Sequence, residues 1–73
     1  MEIKQSKIVK FGPLFRAEDK QQYFEVFLED GTTFYRKLIE DTAASVRRGD
    51  LVFYRKDENQ NVEVIAIKLN SNL

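Results

Sequence analysis

The alternation of apolar and polar positions is densest over residues 22–38, where two runs of aromatic and β-favouring side chains flank Glu29, Asp30 and Gly31. The first run holds Tyr23, Phe24, Glu25, Val26, Phe27 and Leu28, and the second runs from Thr32 through Phe34, Tyr35, Arg36 and Lys37 to Leu38. Such side chains suit a pleated sheet, and Asp-Gly between two such runs signals a hairpin. Its register decides which aromatics are buried. A two-residue Asp-Gly turn sets Phe24, Val26 and Leu28 beside Thr33, Tyr35 and Lys37, and puts Tyr23, Phe27, Phe34 and Leu38 on the opposite face. That leaves much apolar surface exposed. A three-residue turn, with Gly31 at positive φ in a bulged hairpin, instead gathers Phe24, Val26, Leu28, Phe34 and Leu38, because a one-residue slip inverts all the side chains of a strand. The three-residue turn is expected because it gives one mostly apolar face. Arg36 then falls among the inner residues and must reach a rim or meet a carboxylate. The outer face carries Tyr23, Glu25, Phe27, Tyr35 and Lys37.

Around this hairpin the chain predicts further strands. Residues 3–11 place Ile3, Ile8, Val9 and Phe11 among Lys4, Lys7 and Lys10, and Gly12-Pro13 ends the strand. Residues 14–21 are polar after Leu14 and Phe15 and read as a loop, with a short strand extension at those two positions. Residues 41–48 lose the alternation, begin with the capping candidates Asp41 and Thr42, end in Arg47 and Arg48, and precede Gly49. These are the start and stop signals of a short helix with cations at its C-terminal end. A strand over residues 51–55, a polar turn over 57–61 and a strand over 62–69 follow. The last strand is apolar on both faces, Ile65, Ile67 and Leu69 on one and Val62, Val64 and Ala66 on the other, which suits a strand covered on both sides or one that meets another chain.

The order of elements is that of a small five-stranded all-β barrel of the OB type, with the short helix between strands 3 and 4. An SH3-like barrel is the alternative. Closure removes the exposed edges that so many β segments otherwise leave. No repeat or linker divides residues 1–73, so a single domain is expected.

Composition narrows the chemistry. Neither cysteine nor histidine occurs, which removes disulfides, thiolate metal sites and the Cys and His nucleophile, general base and zinc ligands and leaves only carboxylates, Lys, Tyr and hydroxyls, so neither an enzyme, a metal nor a cofactor is expected. No run approaches the roughly 18–20 apolar residues of a membrane span, and the N-terminus lacks a signal-peptide core, which points to a cytoplasmic protein without membrane partners. Twelve Lys and Arg balance twelve Asp and Glu, so any affinity for nucleic acid must be local rather than a property of net charge.

Lys7-Ile8-Val9-Lys10-Phe11, Glu29-Asp30-Gly31 followed by Phe34-Tyr35-Arg36-Lys37-Leu38, and Arg47-Arg48-Gly49-Asp50-Leu51-Val52-Phe53-Tyr54 together resemble the bacterial cold-shock domain across nearly the whole chain. The first segment resembles that family's first strand, with its lysine-aromatic pair. The second resembles its turn and second ribonucleoprotein motif, where Tyr35 takes the stacking position and Lys37 that of a histidine. The third resembles its glycine-led fourth strand. The glycine-aromatic core of the family's first ribonucleoprotein motif is replaced by Gln22-Tyr23-Phe24-Glu25-Val26-Phe27, which keeps bases further from the backbone and adds a negative charge. The resemblance implies binding of single-stranded RNA or DNA on an aromatic and basic face, for which Lys10, Phe11, Tyr23, Phe27, Tyr35 and Lys37 are the candidates. For Tyr23, Phe27 and Tyr35 the competing role is cross-strand packing, for Phe11 a place in the core, and for the lysines protection of a sheet edge. The alternative function is a non-catalytic protein-interaction or regulatory module, with a homodimer among its forms, favoured by the balanced charge and by Glu25.

Overall fold

The computed structural model describes residues 2–38 and 46–70. It is all-β. The strands are β1 (Lys4–Phe11), β2 (Phe15–Arg16), β3 (Gln22–Leu28), β4 (Thr33–Lys37), β5 (Leu51–Lys56) and β6 (Val62–Lys68), and every pairing between them is antiparallel. The order across the sheet is β4-β3-β1-β5-β6, with the two-residue β2 beside the start of β3.

The central hairpin has the register expected of a three-residue turn. Val26 faces Phe34, Phe24 faces Arg36 and Glu25 faces Tyr35. Leu28 N–H donates to the Thr32 carbonyl at 2.9 Å, Gly31 N–H donates to the Leu28 carbonyl at 3.0 Å, and Gly31 has φ +92°. A side chain at that φ is strained, so glycine fixes the turn and the turn fixes the phase. Val26, Leu28 and Phe34 are buried as a result, with Phe24 packed against them. Leu38 does not join them: it lies beyond the end of β4 and is exposed. Arg36 is half-buried.

Two bulges set the phase of the other long strands. In β1, Ile8 faces Leu28 but Lys10 faces Phe27, so Val9 is an extra residue and projects outward. The bulge lets Ile8 and Phe11, three positions apart, both face the core, and it bends the strand where its partner changes from β5 to β3. In β6, Phe53 of β5 faces Ala66 while Tyr54 faces Val64, leaving Ile65 unopposed. Val62, Val64 and Ile67 therefore pack inward, and Ile65 and Leu69 are exposed. The regular alternation expected for this strand fails at that one residue.

Among the described residues the buried hydrophobic core is small: Ile8, Val26, Leu28, Phe34, Val52 and Tyr54. Each such side chain contributes roughly 1.5–3 kcal/mol relative to exposure. Polar anchors supplement it. The Tyr54 hydroxyl, within a residue only 1% exposed, donates to Asp30 Oδ2 and lies 3.1 Å from Thr32 Oγ1. Asp30 N–H donates to Ser6 Oγ at 3.1 Å, so the hairpin turn is tied to both β5 and β1. Asp50, 2% exposed, accepts the Arg47 N–H and the Asn70 N–H at 2.7 Å each and thereby joins the entry of β5 to the exit of β6.

Three expectations need correction. Among the described residues there are six strands rather than five, because the short extension expected at Leu14 and Phe15 is a separate strand, Phe15–Arg16, that folds back as a β2-β3 hairpin. The sheet is not a closed barrel: among the described residues no ladder joins β4 to β6. An opening of about 500 Å³ lies between them, lined by Thr33, Phe34, Tyr35, Gln60, Asn61, Val62 and Val64. Of these, Phe34 belongs to the core, and Val62 and Val64 pack against it. Of the helix expected over residues 41–48, residues 41–45 lie outside the described residues. Val46 and Arg47 are not helical, and Arg48 and Gly49 form the centre of a turn in which Asp50 N–H donates to the Arg47 carbonyl at 3.2 Å. Gly49, at φ +94°, takes the left-handed position of this turn into β5.

Candidate nucleic-acid interface

Because Val26 and Phe34 point inward, Tyr23, Glu25 and Phe27 of β3 and Thr33, Tyr35 and Lys37 of β4 share the outer face, paired Tyr23 with Lys37, Glu25 with Tyr35 and Phe27 with Thr33. Tyr35 is 62% exposed, the most open of the large apolar side chains among the described residues. The bulge at Val9 brings Lys10 onto the same face, where its Nζ sits 4.7 Å from the centroid of the Phe27 ring in a cation–π contact.

Phe15 completes the surface. Its partner across the β2-β3 ladder is Tyr23, and the two rings stack at 6.1 Å with an interplanar angle of 29°. The Phe15 ring also meets Tyr35 edge-on, at 5.4 Å and 79°. Three aromatic rings thus form one cluster at one end of the face, with the Lys10 and Phe27 pair at the other. Between them lies Glu25, next to a pocket of about 270 Å³ lined by Pro13, Phe15, Glu25 and Tyr35. Gly12 N–H donates to the Glu25 carbonyl at 2.8 Å and holds the Gly12-Pro13 segment against this wall.

The electrostatics of the face are mixed. The Tyr23 hydroxyl donates to Asp19 Oδ2 at 2.6 Å, which orients the ring from the β2-β3 turn. That bond, followed by the Gln21 N–H bond and the nearby Lys37 charge, holds the Asp19 carboxyl below the ordinary carboxylate range. The same bond pushes the Tyr23 phenol above its usual value. Lys37 therefore has a carboxylate near it, while Lys10 leans on a ring. Glu25 has neither a hydrogen-bond donor nor a cation among the described residues, where Arg55–Glu63 is the one ion pair. No group of His, Cys, Asp or Glu among the described residues could hold a metal ion.

Five of the six candidates from the sequence, Lys10, Tyr23, Phe27, Tyr35 and Lys37, come together on this face. Phe11 does not. It packs edge-on against Phe24 at 5.7 Å and 70°, on the core side. Phe15 is not one of the sequence candidates, because the polar segment that follows it reads as a loop. The turn that returns it to β3 is closed by Lys20 at φ 66°, and lysine carries no turn signal of the kind Gly31 does.

No family model matches the chain, and no curated protein or solved structure is similar enough to match it. Among the described residues no helix is long and apolar enough to cross a membrane.

Proposed function

We propose that this chain is a non-catalytic, OB-like module that binds single-stranded RNA or DNA on the outer face of β3 and β4. The observation that carries the reading is the exposed Tyr35 ring, braced edge-on by Phe15 and set in one surface with Tyr23 and Phe27, with Lys10 and Lys37 at its margins. Flat aromatic platforms take bases by stacking, worth about 1–3 kcal/mol per base, and cations beside them take phosphates. The strand order supports the fold part of the proposal: β4-β3-β1-β5-β6 has the neighbour relations of an OB barrel opened at its last seam. The cold-shock likeness of the Tyr35 and Lys37 segment points the same way.

Fluorescence anisotropy of a labelled single-stranded heptamer tests it. Binding in the low micromolar range or weaker at low salt is expected, and Tyr35→Ala is expected to weaken it by about 5- to 100-fold, the loss of one stacked base. Tyr35 is mostly exposed, so its removal leaves the core intact. Unchanged anisotropy at low salt, or equal binding by Tyr35→Ala, would overturn the proposal.

A second reading, a protein-interaction module or homodimer, draws on the unpaired edges of β4 and β6 among the described residues and on the exposed Ile65 and Leu69. Sedimentation equilibrium that finds a dimer, with Ile65→Lys returning it to a monomer, would favour this reading. A monomer at all concentrations would remove the homodimer.

A further inference from the structure

We propose that Glu25 makes the pocket beside Tyr35 a base-reading site, selective for a nucleobase that presents amino donors on its Watson–Crick edge, with guanine preferred and thymine or uracil disfavoured. The inference rests on the single-strand reading above and says which base the face takes.

Glu25 is in an unfavourable place for a surface that meets only phosphates. It stands in the middle of the aromatic face, between Tyr23 and Phe27 along β3 and opposite Tyr35. A carboxylate there repels the backbone of any bound strand, and nothing else on the face neutralises it. Lys10 lies over Phe27, Lys37 lies across from Tyr23 near Asp19, and Glu25 itself forms no ion pair among the described residues. What remains is an acceptor with no donor. An ionised carboxylate offers acceptors only.

The pocket supplies the rest of a base site. At about 270 Å³ it is smaller than the roughly 300–1,000 Å³ of pockets for drug-sized ligands, and so on the scale of one ring system. Tyr35 offers a ring to stack on, Phe15 a wall at 79° to it, Pro13 an apolar flank and Glu25 the polar edge. A base stacked on Tyr35 turns its edge toward the carboxylate. Guanine places N1–H and its amino group side by side, matching two carboxylate oxygens. Cytosine and adenine offer an amino group beside an acceptor nitrogen, so they make a single bond. Thymine and uracil offer N3–H between two carbonyl oxygens, which face the carboxylate with like partial charge. Edge hydrogen bonding on a stacked, splayed-out base is how single strands are read with sequence preference.

The test compares a thymine heptamer with heptamers in which the central base is guanine, cytosine or adenine, using anisotropy with the wild-type protein and with Glu25→Gln. Wild type is expected to bind the central-guanine heptamer roughly tenfold more tightly than the all-thymine one, in line with a good two-bond contact, with adenine and cytosine between. Glu25→Gln, whose amide both donates and accepts, is expected to bring the four heptamers within about twofold of one another. An unchanged thermal melting curve for this outer-face variant establishes that it is folded. The proposal is overturned if the all-thymine heptamer binds as tightly as the guanine one. It is also overturned if Glu25→Gln tightens all four by the same factor and leaves their order intact, because the carboxylate then acts only as a charge. Equal binding of all four by wild type removes base reading and leaves single-strand binding standing. No binding of any heptamer removes both.

Discussion

The bond from Tyr54 to Asp30 ties the tip of the β3-β4 hairpin to β5, so Tyr54→Phe asks how much of the fold depends on that tie. The substitution keeps the buried ring and deletes only the hydroxyl, which donates to Asp30 Oδ2 and lies 3.1 Å from Thr32 Oγ1. A hydrogen bond to a charged group is worth about 1.5–3 kcal/mol. Asp30 is solvent-exposed and can rehydrate, which discounts the figure, whereas the Thr32 side chain is buried and cannot, so the net loss is about 1.5–2 kcal/mol. For a domain of this size that is a fall of roughly 10 °C in melting temperature.

The pH dependence of Tyr54→Phe follows from the same bond. For Asp30, partial desolvation where the carboxyl meets Tyr54 pushes it up, but the bonds from Tyr54 and Thr32 outweigh this and hold it below its ordinary value. Folding then gains from the ionised form above the unfolded value of about 3.9, and the gain is lost as pH falls through the folded value. Burial first, and then the bond to Asp30, push the Tyr54 phenol up. Its contribution is complete below the unfolded value of about 10 and is lost as pH rises through the folded value. The difference between wild type and Tyr54→Phe should therefore be largest from about pH 5 to 9 and shrink on both sides. Urea unfolding across that range measures it. A difference under about 0.5 kcal/mol at neutral pH, or one that persists undiminished at about pH 3, would refute the reasoning.

Other substitutions probe the remaining supports of the face. Gly31→Ala forces a side chain into φ +92° with open space around it, so its cost is backbone strain alone, about 1–2 kcal/mol in thermal or urea melts, and Gly31→Asn should cost less. Asp50→Ala removes the buried acceptor of the Arg47 and Asn70 N–H groups and should destabilise by about 3 kcal/mol on the same measurement, more than any single change on the outer face. Lys10→Ala and Lys37→Ala should each weaken oligonucleotide binding for every sequence alike and lower the slope of log affinity against log salt by about 1 if each contacts one phosphate, as titrations from about 50 to 200 mM salt will read.

The hairpin was legible in the sequence because its two determinants are written residue by residue. Period-2 alternation marks the faces, and Gly31 marks the turn that aligns them. That was enough to place Tyr35 outside and Val26 inside. The bulges at Val9 and Ile65 left no such mark, since a bulge is one extra apolar residue within an apolar run, and each of them inverts the faces beyond it. Beyond the first bulge Phe11 falls on the core side, and beyond the second the faces of the last strand change phase past Val64. Phe15 carries no mark either, because its return turn uses Lys20 where a glycine or asparagine would announce it. Tyr54 and Asp50 were hidden for a different reason. A buried polar group is recognised by its partner, and both partners, Asp30 and the 47–50 turn, are distant or unremarkable in sequence.

An amide chemical-shift titration of the protein with short single-stranded DNA and RNA tests the central claim most directly, because it reports binding and location together. The account predicts saturable shifts confined to the outer face, at Lys10, Phe15, Tyr23, Glu25, Phe27, Tyr35 and Lys37 and their neighbours, while β5 and β6 stay unmoved. Shifts concentrated along β6 around Ile65, or none at all at low salt, would contradict it.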